Sequence, residues 1–215
     1  MPLEAIIWDF GGVFTTSPFE AFARYETDNN LPKDLIRQVN TANPDNNAWA
    51  KFERSEVGIA EFDHLFAEEA KALSGQQVPG RDVIALLQGD VRPQMVRAFE
   101  VCREHFKNGC ITNNVKPHDG KTMWAEGGRA REIAAIMRHF DHVIESALVG
   151  LRKPDPRIYQ MMCDALKVAP EDCAYLDDLG INCKPARAMG MQTIKVVAAG
   201  QAIEELEKVT GMSLR

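Results

Sequence analysis

The chain has 215 residues, enough for one substantial core with a small accessory unit beside it. Its 45% hydrophobic and 26% charged residues are those of an ordinary globular protein, and a net charge of −6 speaks against a nucleic-acid binder, which needs a basic face. No apolar run nears the ~20 residues that span a bilayer, and the stretch before Asp9 is too short for a signal peptide, so a cytoplasmic protein with no membrane partner is expected.

In chain order, the first apolar run, Ala5 to Trp8, predicts a buried strand ending in Asp9-Phe10-Gly11-Gly12-Val13. From Thr16 to about Arg92 no strand is visible. Amphipathic patches there (Phe19–Phe22, Leu35–Val39, Phe62–Phe66 with Leu73) alternate with loop signals at Asn29-Asn30, at Asn43 to Asn47 and at Gln76 to Gly80. This segment is expected to be a helical insertion. Strand and helix alternate from there on. Met95, Phe99, Cys102 and Phe106 share a helical face, followed by a strand over Gly109–Thr112 and a glycine-bearing loop from Val115 to Arg129 that holds Trp124. A helix with Ile133, Ile136, Met137 and Phe140 precedes a strand over His142–Glu145, and a stripe of Ile158, Met161, Met162 and Ala165 precedes one over Cys173–Leu176. A last strand over Gln192–Val197 leads to a helix carrying Ile203, Leu206 and Val209.

Short, largely apolar strands without polar alternation, separated by helices, predict a doubly wound parallel α/β sheet covered on both faces. The five cysteines form no Cys-x-x-Cys pair and read as small buried hydrophobes in a reducing compartment.

Open parallel sheets bind ligands at the carboxyl ends of their strands. The residues there are Asp9, then Thr112-Asn113, then Arg152-Lys153-Pro154, then Asp177-Asp178 with Asn182 four residues on. Taken singly, each has a plain structural reading: helix cap, strand-end hydroxyl, solvated loop charge, turn. Together they suit phosphoryl transfer, which needs an in-line nucleophile, a divalent cation and fixed donors for the phosphate oxygens. In that chemistry Asp9 is the nucleophile and shares an oxygen with Mg²⁺, and Asp178 is a second hard ligand. Thr112, the Asn113 N–H and Lys153 hold the phosphate. Gly11 and Gly12 let the backbone curl close to the ligand.

This set resembles the four motifs of the haloacid dehalogenase-like hydrolase superfamily, with Asp9 in the first, Thr112 in the second, Lys153 in the third and Asp178 with Asn182 in the fourth. The stretches Val149–Pro154 and Leu176–Asn182, the run Lys184–Arg187 and the tail Glu204–Gly211 are similar to a phosphatase-domain branch of that superfamily. The resemblance implies a Rossmann-like core over residues 1–16 and 93–215 and a helical cap over residues 17–92. It also implies an aspartyl-phosphate on Asp9, one Mg²⁺ held by Asp9, the Gly11 carbonyl and Asp178, supporting roles for Asp177 and Asn182, and a small phosphorylated metabolite as substrate. The oligomeric state is expected to be monomer or homodimer.

One position departs from the pattern. Phosphatases of this superfamily usually carry a second aspartate two residues after the nucleophile, as acid and then base, and here that residue is Gly11. Losing such a group costs about 10²–10⁴ in rate, although family members with Gly here look like working phosphatases. Asn114, His118 and Asp119 are the nearby candidates for a partial substitute. The gap keeps two other readings open: a 2-haloacid dehalogenase, whose halide leaves without a proton, and a catalytically weak module that binds a phosphorylated ligand or a protein. The acidic pair Asp177-Asp178 favours phosphate over halide. Response-regulator receivers carry little weight, because their acidic pair precedes the phosphorylated Asp and they lack a cap-sized insertion. Phe19, Phe22 and the segment Trp49–Arg54 are the candidates for reading the substrate beyond its phosphate.

Overall fold

The computed structural model describes residues 3–87, 89–114 and 128–214. Five strands, β1 (Ala5–Trp8), β2 (Lys107–Thr112), β3 (His142–Glu145), β4 (Cys173–Asp177) and β5 (Gln192–Lys195), form one sheet in the order β3-β2-β1-β4-β5. Every pairing is parallel. The chain winds outward from β1 to β2 and β3 on one side and then crosses to β4 and β5 on the other. The reversal falls between β1 and β4, where such sheets open a crevice at their carboxyl edge.

Side chains alternate across the sheet with the period of two that strands impose. Ile6, Trp8, Cys110, Ala174 and Leu176 face one apolar layer, and Ala5, Ile7, Ile111, Cys173 and Tyr175 face the other. The first layer is closed by α6 (Pro93–Cys102), α7 (Gly128–Met137) and α11 (Ala199–Thr210), the second by α9 (Pro156–Leu166) and α10 (Gly180–Ala188). The buried residues of both layers are at most 9% exposed, and each large side chain removed from water contributes about 1.5–3 kcal/mol. The cysteines Cys102, Cys110, Cys163, Cys173 and Cys183 are free and buried, as their apolar settings predicted.

Two details of the expected helical faces are corrected. In α9 the buried stripe is Ile158, Tyr159, Met162, Cys163 and Leu166, while Met161 is exposed and Ala165 faces outward. The stripe runs at i, i+1, i+4, i+5 and i+8, so positions 161 and 165 rotate to its edge. Leu73, expected to join Phe62 and Phe66, is 52% exposed, because Ala70 occupies the i+4 position on their face.

Between β1 and β2 lie α1 (Phe19–Asp28), α2 (Leu35–Thr41), α3 (Ala48–Glu53), α4 (Ile59–Ser74) and α5 (Gly80–Ala85). They bury a separate apolar cluster that includes Phe22, Ile36, Phe52, Phe62, Phe66 and Val83. Phe52 stacks on Phe62 with ring centroids 4.3 Å apart. Local chemistry sets the boundaries: Asn47 caps α3 by accepting from the Ala50 N–H at 2.7 Å, and Gly75 ends α4 at φ +77°. The two crossings into and out of this insertion are zipped together. Thr15 and Val91 form an antiparallel bridge, Thr16 donates its N–H to the Asp90 carbonyl, and Arg92 donates to that of Phe14. The short α8 (Ser146–Val149) follows β3. Among the described residues no helix is long and apolar enough to cross a membrane.

Candidate active site

Asp9 leaves β1 at the switch point, its N–H donating to the Leu176 carbonyl of β4 at 2.8 Å. The register that pairs Trp8 with Leu176 therefore brings Asp9 beside Asp177 and Asp178. A carboxylate oxygen from each of the three lies within 4.8 Å of the others. The two carboxylates 169 positions apart that the sequence reading required to meet, Asp9 and Asp178, do meet.

Lys153 reaches the same point from the loop after α8. Its Nζ is 2.7 Å from Asp9 Oδ1 and 2.9 Å from Asp177 Oδ2, and the side chain is 1% exposed, which rules out a solvated loop charge. Asp177 is otherwise fully engaged. Its Oδ1 accepts from the Leu179 N–H at 2.7 Å, Asn182 Nδ2 lies 3.1 Å from both its oxygens, and Tyr175 donates its hydroxyl to Oδ2. Asp177 and Asn182 thus orient Lys153, while Asp178, which accepts a 3.2 Å bond from Ser17 Oγ, lies beside Asp9.

Two carboxylates pair with one ammonium and a third, Asp178, lies beside them, and the electrostatics follow from that imbalance. Burial pushes the Asp9 carboxyl well above the ordinary aspartate range; Lys153 pulls it down, and Asp177 and Asp178 push it further up. Burial and then the charge of Asp177 push Asp178 up to about 6. For Lys153 burial disfavours the charge, but Asp177 and Asp9 outweigh it and hold the ammonium above the usual lysine value. A buried pocket with excess negative charge and hard oxygen donors is a fitting seat for a divalent cation.

Glycine matters at one position of the loop after Asp9. Gly12 has φ +74°, and a Cβ there would stand 2.2 Å from Asp178 Oδ2, so only glycine lets the loop pass this close to the carboxylate. Gly11 faces open space, with nothing within 4 Å of where its Cβ would be.

Thr112 ends β2, the other neighbour of β1, and is 6% exposed on the same rim. Asn113 follows, and its side chain grips the Lys153 backbone: Oδ1 accepts from the Lys153 N–H at 2.9 Å and Nδ2 donates to the Lys153 carbonyl at 3.0 Å. Asn114 is not available as a stand-in acid. Its Nδ2 donates to Glu145, its Oδ1 accepts from the Ala147 N–H at 3.3 Å, and its own N–H donates to Ser146 Oγ at 3.0 Å. His118, Asp119 and Trp124 lie outside the described residues.

Of the candidate substrate readers, Phe22 is 3% exposed within the insertion's own cluster, and Phe19 and Trp49 pack partly buried against it. Sequence reasoning missed the roles of Tyr175 and Ser17, and it read Glu53, inside the segment Trp49–Arg54, as a candidate substrate reader. Tyr175 was findable, since it stands two residues before Asp177 and so shares its face of β4.

A parallel sheet whose switch point gathers an aspartate, a strand-end threonine, a buried lysine and an acidic pair defines a hydrolase of the haloacid dehalogenase-like class. The chain belongs to that family: the haloacid dehalogenase-like hydrolase profile matches residues 3–190. Among curated relatives it is 31% identical, over its full length, to bifunctional epoxide hydrolase 2 of Sus scrofa, of which the match covers 40%. It is 26% identical to a sesquiterpene phosphatase of Aspergillus oryzae, with 97% of each chain covered. The chain spans only 19% to 40% of the length of the first relatives it matches. Among solved structures, a haloacid dehalogenase family enzyme from Bacteroides thetaiotaomicron, in complex with magnesium and inorganic phosphate, superposes with a TM-score of 0.58. That pair is 19% identical, covers 92% of this chain and 96% of the other, and shares the fold. The protein is thus a hydrolase with phosphatase relatives.

Proposed function

We propose that this protein is a Mg²⁺-dependent phosphatase acting on a small phosphorylated metabolite, with residues 17–92 serving as a cap over a core made of residues 1–16 and 93–215. The observation that carries the reading is the meeting of Asp9 and Asp178 beside the buried ammonium of Lys153. Asp9, the Gly11 carbonyl and Asp178 would hold Mg²⁺, which supplies positive charge against the phosphate oxygens.

The chain's own residues divide the remaining work. A carboxylate oxygen of Asp9 attacks phosphorus, the ester P–O bond breaks, and the leaving oxygen takes the electron pair. The Lys153 ammonium, the Thr112 hydroxyl and the Asn113 N–H offset the charge on the non-bridging oxygens. Water then attacks phosphorus, the P–O bond to Asp9 breaks, and inorganic phosphate leaves while Asp9 regains its carboxylate and the water's proton passes to solvent. With Gly11 in place of an acid, the leaving oxygen is protonated from solvent, so turnover is slow for poor leaving groups. The tight engagement of Asp177 by Tyr175, Asn182 and Lys153 supports phosphate over halide, because it leaves Asp178 as a dedicated second carboxylate that halide displacement does not need.

A panel of phosphate esters assayed with Mg²⁺, on wild type and Asp9→Asn together, tests the reading. Turnover that needs Mg²⁺ and vanishes in the variant is expected. Metal-independent halide release from 2-haloacids would replace the reading with a dehalogenase, and tight phosphate-ester binding without turnover would replace it with a binding module.

A further inference from the structure

Glu53, the last residue of α3, is 6% exposed at the junction of insertion and sheet. Its Oε2 accepts from Arg152 Nε at 2.6 Å and from Asn113 Nδ2 at 3.3 Å, and its Oε1 accepts from Trp49 Nε1 at 2.9 Å. Its carbonyl accepts from Ser146 Oγ at 2.8 Å. Arg152 is further tied to the insertion through Nη1, which donates to the Pro44 carbonyl at 2.8 Å. One carboxylate of the insertion therefore holds both the residue preceding Lys153 and the amide that brackets the Lys153 peptide.

The bracket depends on which way the Asn113 amide points. Its nitrogen carries two hydrogens, and these serve the Lys153 carbonyl and Glu53, while its oxygen accepts from the Lys153 N–H. A flipped amide would set its oxygen against two acceptors, the Lys153 carbonyl and the Glu53 carboxylate. Glu53 thereby fixes the orientation in which both Lys153 backbone groups are satisfied. Lysine's four-carbon stem is flexible, so a fixed backbone adds to the grip of Asp177 in keeping Nζ at 2.7 Å from Asp9.

We propose that Glu53 is a positioning residue for Lys153: seated on Arg152 and Asn113, it makes the competence of the site depend on the seating of the insertion. The proposal rests on the phosphatase reading for its kinetic test. Displacements of about 1 Å in a reacting group cost on the order of 10² in rate, and that sets the expected scale.

The test compares Glu53→Ala, Glu53→Gln, Arg152→Met and the Glu53→Ala/Arg152→Met double variant. Readouts are kcat and KM for p-nitrophenyl phosphate with Mg²⁺, and hydrogen exchange at the Lys153 amide. Glu53→Ala is expected to lose about 10- to 100-fold in kcat with KM within about threefold. Glu53→Gln recovers part of the loss, since its carbonyl oxygen still accepts. The double variant is no worse than the more damaged single one, as residues of one network are non-additive. Lys153 amide exchange should quicken in the variants, while that of Phe66 inside the insertion stays unchanged.

A folded Glu53→Ala with wild-type kcat and an unchanged Lys153 amide reduces Glu53 to a surface contact and overturns the proposal. Should Glu53→Ala fail to fold, Arg152→Met decides on the same readouts, because it keeps the aliphatic bulk and removes both ties of Arg152 to the insertion, the Glu53 ion pair and the bond to the Pro44 carbonyl. Wild type without turnover would count against the phosphatase reading alone, and the exchange measurement would still decide for or against Glu53.

Discussion

If the proposed phosphatase reading holds, replacing Gly11 with aspartate should raise turnover, and the structure sets the size of the gain. The site for the new side chain is open: nothing lies within 4 Å of the Cβ position, and Gly11 is not among the glycines with positive φ. Gly11→Asp therefore leaves the loop and its carbonyl in place. A positioned acid contributes about 10²–10⁴ in rate, equivalent to roughly 3–5 kcal/mol of barrier. Against this, the new carboxylate joins Asp9, Asp177 and Asp178, two of which are already raised by burial and further by their neighbours' charge. Like charges about 4 Å apart cost some 4 kcal/mol at an effective dielectric near 20, which raises the newcomer's pKa and so favours its acid form. A net gain of about 10- to 100-fold is expected with Mg²⁺ saturating. The decisive assay measures kcat/KM for two esters, one alkyl and one nitrophenyl. Nitrophenolate departs with little need of a proton, whereas an alkoxide needs one, so the alkyl ester should gain far more. An equal gain for both esters, or no gain for either, would refute the claim that a catalytic proton is what this site lacks.

Other perturbations probe the acidic centre itself. Gly12→Ala forces a left-handed residue, at about 1–2 kcal/mol, and drives a methyl into Asp178; calorimetry should show Mg²⁺ affinity falling at least about tenfold, and an unchanged affinity would mean this glycine does not seat Asp178. Lys153→Met leaves Asp9 and Asp177 buried without their cation, so Mg²⁺-free urea unfolding should show a loss of about 3–5 kcal/mol, and wild-type stability would contradict the pairing. Asp178 sits at about 6 when folded, raised by burial and Asp177, against about 3.9 unfolded. A raised carboxyl stabilises the fold only while protonated, so its contribution is complete below about pH 4 and is lost as pH climbs through about 6. In metal-free protein, wild-type Tm should therefore fall relative to Asp178→Asn across that window, and stabilisation by Mg²⁺ should grow over the same range as the carboxyl deprotonates. A Tm difference that is flat with pH would show that Asp178 does not titrate there.

The strands were legible because each is a short apolar run bounded by polar or glycine residues, and their carboxyl ends pointed to Asp9, Thr112, Lys153 and Asp178. Where boundaries moved, a polar residue was the cause. β2 starts at Lys107 rather than Gly109 because buried Asn108 is satisfied by accepting from Trp8 Nε1 at 2.8 Å and donating to the Phe106 carbonyl, and Lys107 Nζ bonds the Leu166 carbonyl. β5 stops at Lys195 rather than Val197, which is 73% exposed and gives its N–H to Gln201 Oε1. The roles of Asn113 and Glu53 were not legible, since both depend on contacts between residues 40 to 99 positions apart. No local pattern encodes such a meeting. Trp49–Arg54 was singled out as a substrate reader, and the structure shows its glutamate turned instead toward Arg152 and Asn113.

The zipped crossings at Thr15 and Val91 have an evolutionary corollary. Because the chain leaves and re-enters the sheet at a single doorway, everything between can be exchanged as a cassette without slipping any strand out of alignment. Under the proposed cap reading, selection can then redraw residues 17–92 for a new molecule while the carboxyl edge of the sheet stands still, provided each replacement brings a carboxylate to the place where Glu53 now meets Arg152.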